Sequence, residues 1–449
     1  MSAVGSHTYG IDRTAALDRF SLNRRRTRAL FDLLDESMYY ERPIALRNPV
    51  VFYEGHVPAF SVNTLIRKAL GRPGVDRHLE TIFARGIDPD SEATAVARGN
   101  PSWPSRAEVS EYVASADRLV SEAIASADID RPGHPLLEQG QALWTILEHE
   151  EMHQETLAHI WHQVPYARKR KPADYVTETA SAALPDLTAR TRIERAGVTL
   201  GTGLGEAPFA WDNERAAHRV EVDAFTIGVH KVTNAGFLDF MAAGGYDDPQ
   251  WWRVEDWAWV KAEGVTHPFY WESVDSAWHW RGMFERVPLP EAWPVYVTWA
   301  EANAYARWRG LRLPTEAEYQ RAAYGTPDGH ERQLPWGEAC PARAPGNFDF
   351  LRWDPEPVGT RPEGASAFGV QDLVGNGWEW TGTAFGPFEG FAPLPSYPEY
   401  SADFFDGDHF VMKGASPLTA RALVRRGFRN WFRPRYPYVY ATFRCAGPA

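Results

Sequence analysis

A chain of 449 residues with 44% hydrophobic and 24% charged residues has ordinary globular composition, and its length suits two or three cores of roughly 100–200 residues each. Its 47 basic and 59 acidic residues leave a net charge of −12, which argues against a nucleic acid or an anionic membrane as partner. The two cysteines, Cys340 and Cys445, cannot build a disulfide framework. No run approaches the roughly 18 apolar residues that span a bilayer, and the start from Met1 to Ala16 lacks the apolar centre of a signal peptide, so a cytoplasmic location is expected.

The first part of the chain has helical texture. Apolar residues recur three or four apart in Ala15, Leu17 and Phe20 through Leu30, Leu33 and Leu34. They do so again in Val109, Tyr112, Val113, Ala116, Leu119, Val120 and Ala123, and in Leu143, Ile146, Leu147, Leu157, Ile160, Trp161 and Val164. With a segment near 49–69, these make four long helices, and a four-helix bundle over 1–165 is the simplest closure. Residues 166–190 read as a linker: 167–172 is a solvated basic run ending in Pro172, and 180–189 is small and polar. From 191 to 449, Gly, Pro and Trp punctuate short strands such as 198–201, 218–227 and 409–413, with one clear helix at 299–309. The 19 Trp, 18 Tyr and 23 Phe let such a loop-rich α+β domain bury area without much regular structure.

Inside the strongest helix lies His149-Glu150-Glu151-Met152-His153. Residues four apart share a helix face, so the two imidazoles can hold one metal ion. The same letters spell the His-Glu-x-x-His signature of zinc hydrolases, in which Glu150 would be general base. The extended metzincin spacing finds His159 in place, but Thr156 where a glycine belongs. A third ligand is better sought upstream, where Phe52-Tyr53-Glu54-Gly55-His56-Val57-Pro58 sets His56 on an apolar segment facing the bundle. Imidazole suits iron, zinc, copper and nickel alike, so this donor set alone does not name the metal.

Four motifs make the second half specific. They are Pro294-Val295-Tyr296-Val297-Thr298-Trp299, Gly310-Leu311-Arg312-Leu313-Pro314-Thr315-Glu316, Asp372-Leu373-Val374-Gly375-Asn376-Gly377-Trp378-Glu379-Trp380, and the terminal Phe443-Arg444-Cys445-Ala446. Together they resemble the formylglycine-generating-enzyme, or sulfatase-modifying-factor, family, whose fold is C-type-lectin-like. The cysteine pair that a formylglycine oxidase needs is missing after Lys413-Gly414-Ala415-Ser416-Pro417. A DinB-like four-helix bundle bearing three histidines ahead of such a domain looks like the ergothioneine sulfoxide synthases. Tyr400-Ser401-Ala402-Asp403-Phe404-Phe405 and Phe428-Arg429-Asn430-Trp431 add local matches. The resemblance implies iron(II), Fe(2+), held by His56, His149 and His153, and an O2-dependent bond from a thiol donor to the imidazole C2 of hercynine. It also implies that Asn430 and Trp431 contact the histidine-derived substrate. A tyrosine near the metal would act as proton donor, with Tyr397 and Tyr400 the candidates.

Three departures bear on the donor. Phe432 stands where the family has an aspartate that recognises γ-glutamylcysteine, Met152 stands where it often has glutamine, and Gly414-Ala415-Ser416-Pro417 replaces Gly-Gly-Ser-Trp. A flat apolar ring suits a sugar better than a zwitterionic peptide, so the chain resembles the selenoneine synthases, which use a selenosugar. Two readings of other classes stand beside this one: a zinc hydrolase on His149, Glu150 and His153, and a non-catalytic ligand-binding module. The oligomeric state is left open.

Overall fold

The computed structural model describes residues 10–84, 102–176, 183–203, 205–341 and 344–449. The first nine residues, and 177–182 of the expected linker, lie outside this set. The chain forms two compact units. The first comprises Met1–Ala173 together with Gly205–Phe209 and Pro393–Tyr400; the second comprises Asp174–Leu204, Ala210–Ala392 and Ser401–Ala449.

Four long helices make the first unit: α1 (Arg13–Asp32), α2 (Val50–Ser61), α4 (Arg106–Ser126) and α5 (Gln141–His162), with a short α3 (Arg77–Ile82). Local chemistry fixes their starts. Asp12 caps α1 by accepting from the Ala15 N–H, and Ser105 with Glu108 forms a reciprocal capping box on α4. α1 packs on α4 and α5, and α2 on the same pair. Along α5, Leu143, Ile146, Leu147, Leu157, Ile160 and Trp161 are all buried. Each such side chain contributes on the order of 1.5–3 kcal/mol, so the rotation of α5 about its axis is strongly determined. α2 continues into a wider i→i+5 turn over Val62–Ala69, where the Leu70 N–H reaches the Leu65 carbonyl.

The second unit is a mixture of short sheets and helices, the α+β texture expected. β1 (Arg190–Ile193), β4 (Phe225–Gly228) and β12 (Ala446–Pro448) form one antiparallel sheet, so the C-terminus closes on the unit's first strand layer. β2 (Ala196–Leu200) pairs with β3 (His218–Val222). The stretch read as a single strand, 218–227, is therefore two, broken at Asp223 and Ala224. β5 (Trp271–Val274), β6 (Ala277–Arg281) and β7 (Arg286–Pro288) form a meander. The largest sheet orders β10 (Asn430–Phe432), β9 (Phe410–Ala415), β8 (Gly377–Ala384) and β11 (Ala441–Thr442).

The expected helix appears as α8 (Trp299–Trp308), but three more of comparable length accompany it: α6 (Asn234–Ala242), α7 (Val254–Glu263) and α9 (Glu316–Tyr324). Eight of the nine residues of α9 are buried, Glu316, Glu318, Gln320 and Arg321 among them, so its burial does not follow an apolar stripe. A buried ion cluster joins these layers: Arg444 grips Glu379 with bonds of 2.6 and 2.8 Å, and Lys231 lies 3.2 Å from the same carboxylate. The two cations share one carboxylate, and carbonyl oxygens of Gly377, Gly228, Val229 and Gln371 accept their other N–H groups, so that buried polar atoms are not left unpaired.

Candidate metal centre

α2 and α5 bring His56, His149 and His153 together, with one ligand-capable atom of each within 4.8 Å of those of the other two. The His149 and His153 ring centroids are 4.4 Å apart, and His56 lies 5.2 and 4.8 Å from them. Helical spacing accounts for the first pair. Tertiary packing supplies His56, whose Nδ1 is 2.8 Å from the Phe83 carbonyl oxygen. A carbonyl only accepts, so Nδ1 carries the proton and Nε2 keeps its lone pair. The approach of Phe83 depends on Gly55, because a Cβ there would lie 2.4 Å from the Phe83 ring.

The donor set fits a metal ion. His56 Nε2, His149 Nδ1 and His153 Nδ1 are buried with no hydrogen-bond partner, an arrangement that is costly unless something coordinates them. Burial holds the His56 imidazole down at about 4 and depresses His149 and His153 well below the ordinary range, with His153 and His56 lowering His149 further and His56 lowering His153. Neutral imidazole is the form that binds metal. Aromatic rings wall the cluster: Phe60 stacks on His149 at 3.5 Å, and Phe52 on His56 at 5.0 Å.

Glu150 is directed elsewhere. Its carboxylate is ion-paired with Arg24 and accepts from the Thr27 hydroxyl at 2.6 Å, on the α1 side of the helix. Glu151 is likewise taken, by Arg19 at 2.8 and 2.6 Å. The geometry therefore withholds from the His-Glu-x-x-His reading the base it requires. His159 pairs with Glu155 at 3.7 Å.

Both candidate tyrosines belong to the helical unit, through the segment Pro393–Tyr400. The Tyr397 ring stands 6.0 Å from His149 and 5.1 Å from Phe60. The Tyr400 hydroxyl donates to Met152 Sδ at 3.2 Å, and Ser396 anchors the segment to Thr145 at 2.8 Å. Asn430, Trp431 and Phe432 belong to the second unit, on the edge strand β10, all half-buried. Strand alternation divides them: Asn430 and Phe432 share one face, and Trp431 points to the other. Trp431 lies flat on Phe385 at 4.2 Å, whereas Phe432 stacks on Tyr436 at 5.1 Å. Sequence reasoning missed Phe60, Phe83 and Gly55. Gly55 carried the available signal, as a glycine in mid-helix directly before a candidate ligand.

Residues 183–449 match the sulfatase-modifying factor enzyme 1-like domain, and residues 19–157 match the DinB superfamily. The class is thus a DinB-type helical unit joined to a sulfatase-modifying-factor-like unit. The chain is 31% identical to hercynine oxygenase of Mycolicibacterium smegmatis, over 97% of this chain and 99% of that protein. It is 42% identical to hercynine oxygenase of Mycolicibacterium thermoresistibile, over 55% of this chain and 56% of that one. Ergothioneine biosynthesis protein 1 of Schizosaccharomyces pombe is 28% identical, over 91% of this chain and 53% of that protein. The chain belongs to the hercynine oxygenase family, and with it to the oxidative enzymes.

Proposed function

We propose that this protein is an iron(II)- and O2-dependent synthase that bonds selenium, from a selenosugar donor, to the imidazole C2 of hercynine. The observation that carries the iron site is the face of three neutral imidazoles, which no carboxylate joins among the described residues and from which Glu150 is turned away. Three neutral ligands leave a metal dication uncompensated, which favours an anionic selenolate or thiolate as partner. The chemistry an iron(II) ion supplies in such a site is activation of dioxygen for oxidative bond formation.

The chain's own groups take the remaining roles. His56, His149 and His153 would hold the ion. Phe52 and Phe60 exclude water from the imidazoles. Of the two tyrosines we assign proton exchange to Tyr397, which packs on His149, because the Tyr400 hydroxyl is committed to Met152. Asn430 and Trp431 would contact hercynine, the indole attracting its quaternary ammonium. Phe432 in place of an anionic side chain supports the sugar donor.

Iron(II)-loaded protein given hercynine, O2, γ-glutamylcysteine and a selenosugar tests this by mass spectrometry of the products. A hercynine adduct with selenium's isotope pattern is expected. A sulfoxide adduct formed only from γ-glutamylcysteine, or from cysteine in a parallel reaction, would instead make the protein an ergothioneine-type synthase, the reading that family membership alone favours.

A further inference from the structure

A small cavity of about 70 Å³ lies in the second unit, beside the sheet in which β1 and β12 flank β4. Among its lining residues are Thr188, Arg190, His230, Tyr305, Arg309 and Cys445. Arg190 begins β1, Arg309 directly follows α8, and Cys445 directly precedes β12. None of these residues has a part in the metal, hercynine or donor roles assigned above.

Two cations line this cavity without a counter-charge. Among the described residues, no carboxylate lies within ion-pair distance of Arg190 or Arg309. Arg190 donates to Thr226, at 2.6 Å to the hydroxyl and 3.2 Å to the carbonyl, and its Nε is buried without a partner. Arg309 donates to the Tyr305 hydroxyl at 3.3 Å. The neighbouring charges are engaged elsewhere. Asp186 accepts from the Thr188 N–H and hydroxyl at 2.9 and 2.7 Å, and Lys231 lies 3.2 Å from Glu379. The thiol and the phenol do not supply the missing charge, because burial pushes both Cys445 and Tyr305 up to about 12. Burial also pushes the Arg190 guanidinium down from its ordinary value, and the charge of Arg309 adds to that. Two guanidinium groups that disfavour each other beside one cavity are accommodated by an anion between them.

The cavity has room for a few waters, and so for one tetrahedral oxyanion, but not for a nucleotide. Guanidinium N–H groups match the oxygens of such an ion in pairs. The Tyr305 hydroxyl accepts from Arg309 and keeps its own proton to donate. We propose that this cavity binds a free inorganic oxyanion, phosphate or sulfate, between Arg190 and Arg309, with the Tyr305 hydroxyl as a third donor. The bound ion ties the end of α8 to the strand layer that β1 and β12 close. It acts as a stabilising ligand of the second unit and takes no part in the chemistry at the histidines.

The test is thermal melting of the full chain, titrated with millimolar inorganic phosphate or sulfate against chloride at equal ionic strength. The melting temperature should rise saturably, by about 3–5 °C at ten times the dissociation constant. Arg309 is exposed, so Arg309→Gln leaves the fold intact. That variant should bind phosphate at least about tenfold more weakly by calorimetry, the scale of one lost charge-assisted hydrogen bond, whereas Arg309→Lys should retain part of the affinity. No saturable rise with either oxyanion in the wild type would overturn the proposal. An equal rise in Arg309→Gln would also overturn it, by placing the ion elsewhere, as would an equal rise with chloride. Tighter binding of phenyl phosphate than of phosphate would overturn the assignment to a free ion.

Discussion

Gly55 and His56 act as a pair. The glycine lets Phe83 approach, and the Phe83 carbonyl then fixes which nitrogen of His56 carries its proton. Gly55→Ala should push the Phe83 ring away and disturb that bond. Outer partners of metal ligands typically matter by about 10–100-fold in affinity, so iron(II) binding by competitive chelator titration should weaken on that scale. An unchanged affinity would mean that the Phe83 contact is incidental. Tyr397→Phe gives the complementary case: iron content should stay at wild-type level while kcat falls, because only the proton-bearing oxygen is removed. If Tyr400→Phe lowers kcat and Tyr397→Phe does not, the two tyrosines exchange their proposed roles. The i,i+4 histidine pair was legible in the sequence because helical spacing encodes it. The carbonyl that orients His56 was not, since Phe83 lies 27 residues away and the contact is made by backbone.

Helices α1 and α5 meet through a polar seam. Arg24 and Thr27 hold Glu150, the Asn23 amide donates to the Leu147 carbonyl at 3.1 Å, and Gln154 donates to the Asn23 carbonyl at 3.1 Å. These bonds set the rotation that turns His149 and His153 toward His56. Arg24→Ala strands a buried carboxylate and should cost about 3–5 kcal/mol of stability. The double variant Arg24→Met/Glu150→Leu should regain most of that loss and still bind iron(II). Metal loss in a stably folded double variant would show Glu150 acting at the metal after all.

On β9, Lys413 donates to the Arg426 and Phe428 carbonyls at 2.9 and 2.6 Å, and burial pushes its ammonium down to about 8. Between that value and the ordinary one of about 10.4, the unfolded chain binds a proton that the folded chain does not. Stability should therefore rise with pH across that window, by at most about 3 kcal/mol. Denaturant titrations of Lys413→Met should lack this rise. Three of the four long helices of the first unit were legible from apolar periodicity, whereas α2, buried at nearly every position, was read only as a segment near 49–69. Helices α6, α7 and α9 were not, being nine or ten residues long and, in α9, buried nearly all round. The capping box of Thr315 and Glu318 was the available sign of α9.

At the scale of the whole molecule, the two sequence domains are not the two compact units. The helical unit includes Pro393–Tyr400, a segment more than two hundred residues beyond its last helix. Nothing local in the sequence could reveal this, because Ser396 meets Thr145 and Tyr400 meets Met152 across about 250 positions. A fragment ending at residue 173 lacks Tyr397 beside His149. It should melt at a lower temperature than the same fragment supplied with a peptide of residues 390–403. Identical melting with and without the peptide would mean that the segment contributes nothing to the unit.

This interlacing also bears on how the enzyme is made. The three histidines leave the ribosome within the first 153 residues, but the strap that lies over His149 follows only after some 240 more. A bundle that folds in that interval does so without Tyr397 beside His149. The order of synthesis thus bears on the order in which the ligands and the tyrosine beside them come together.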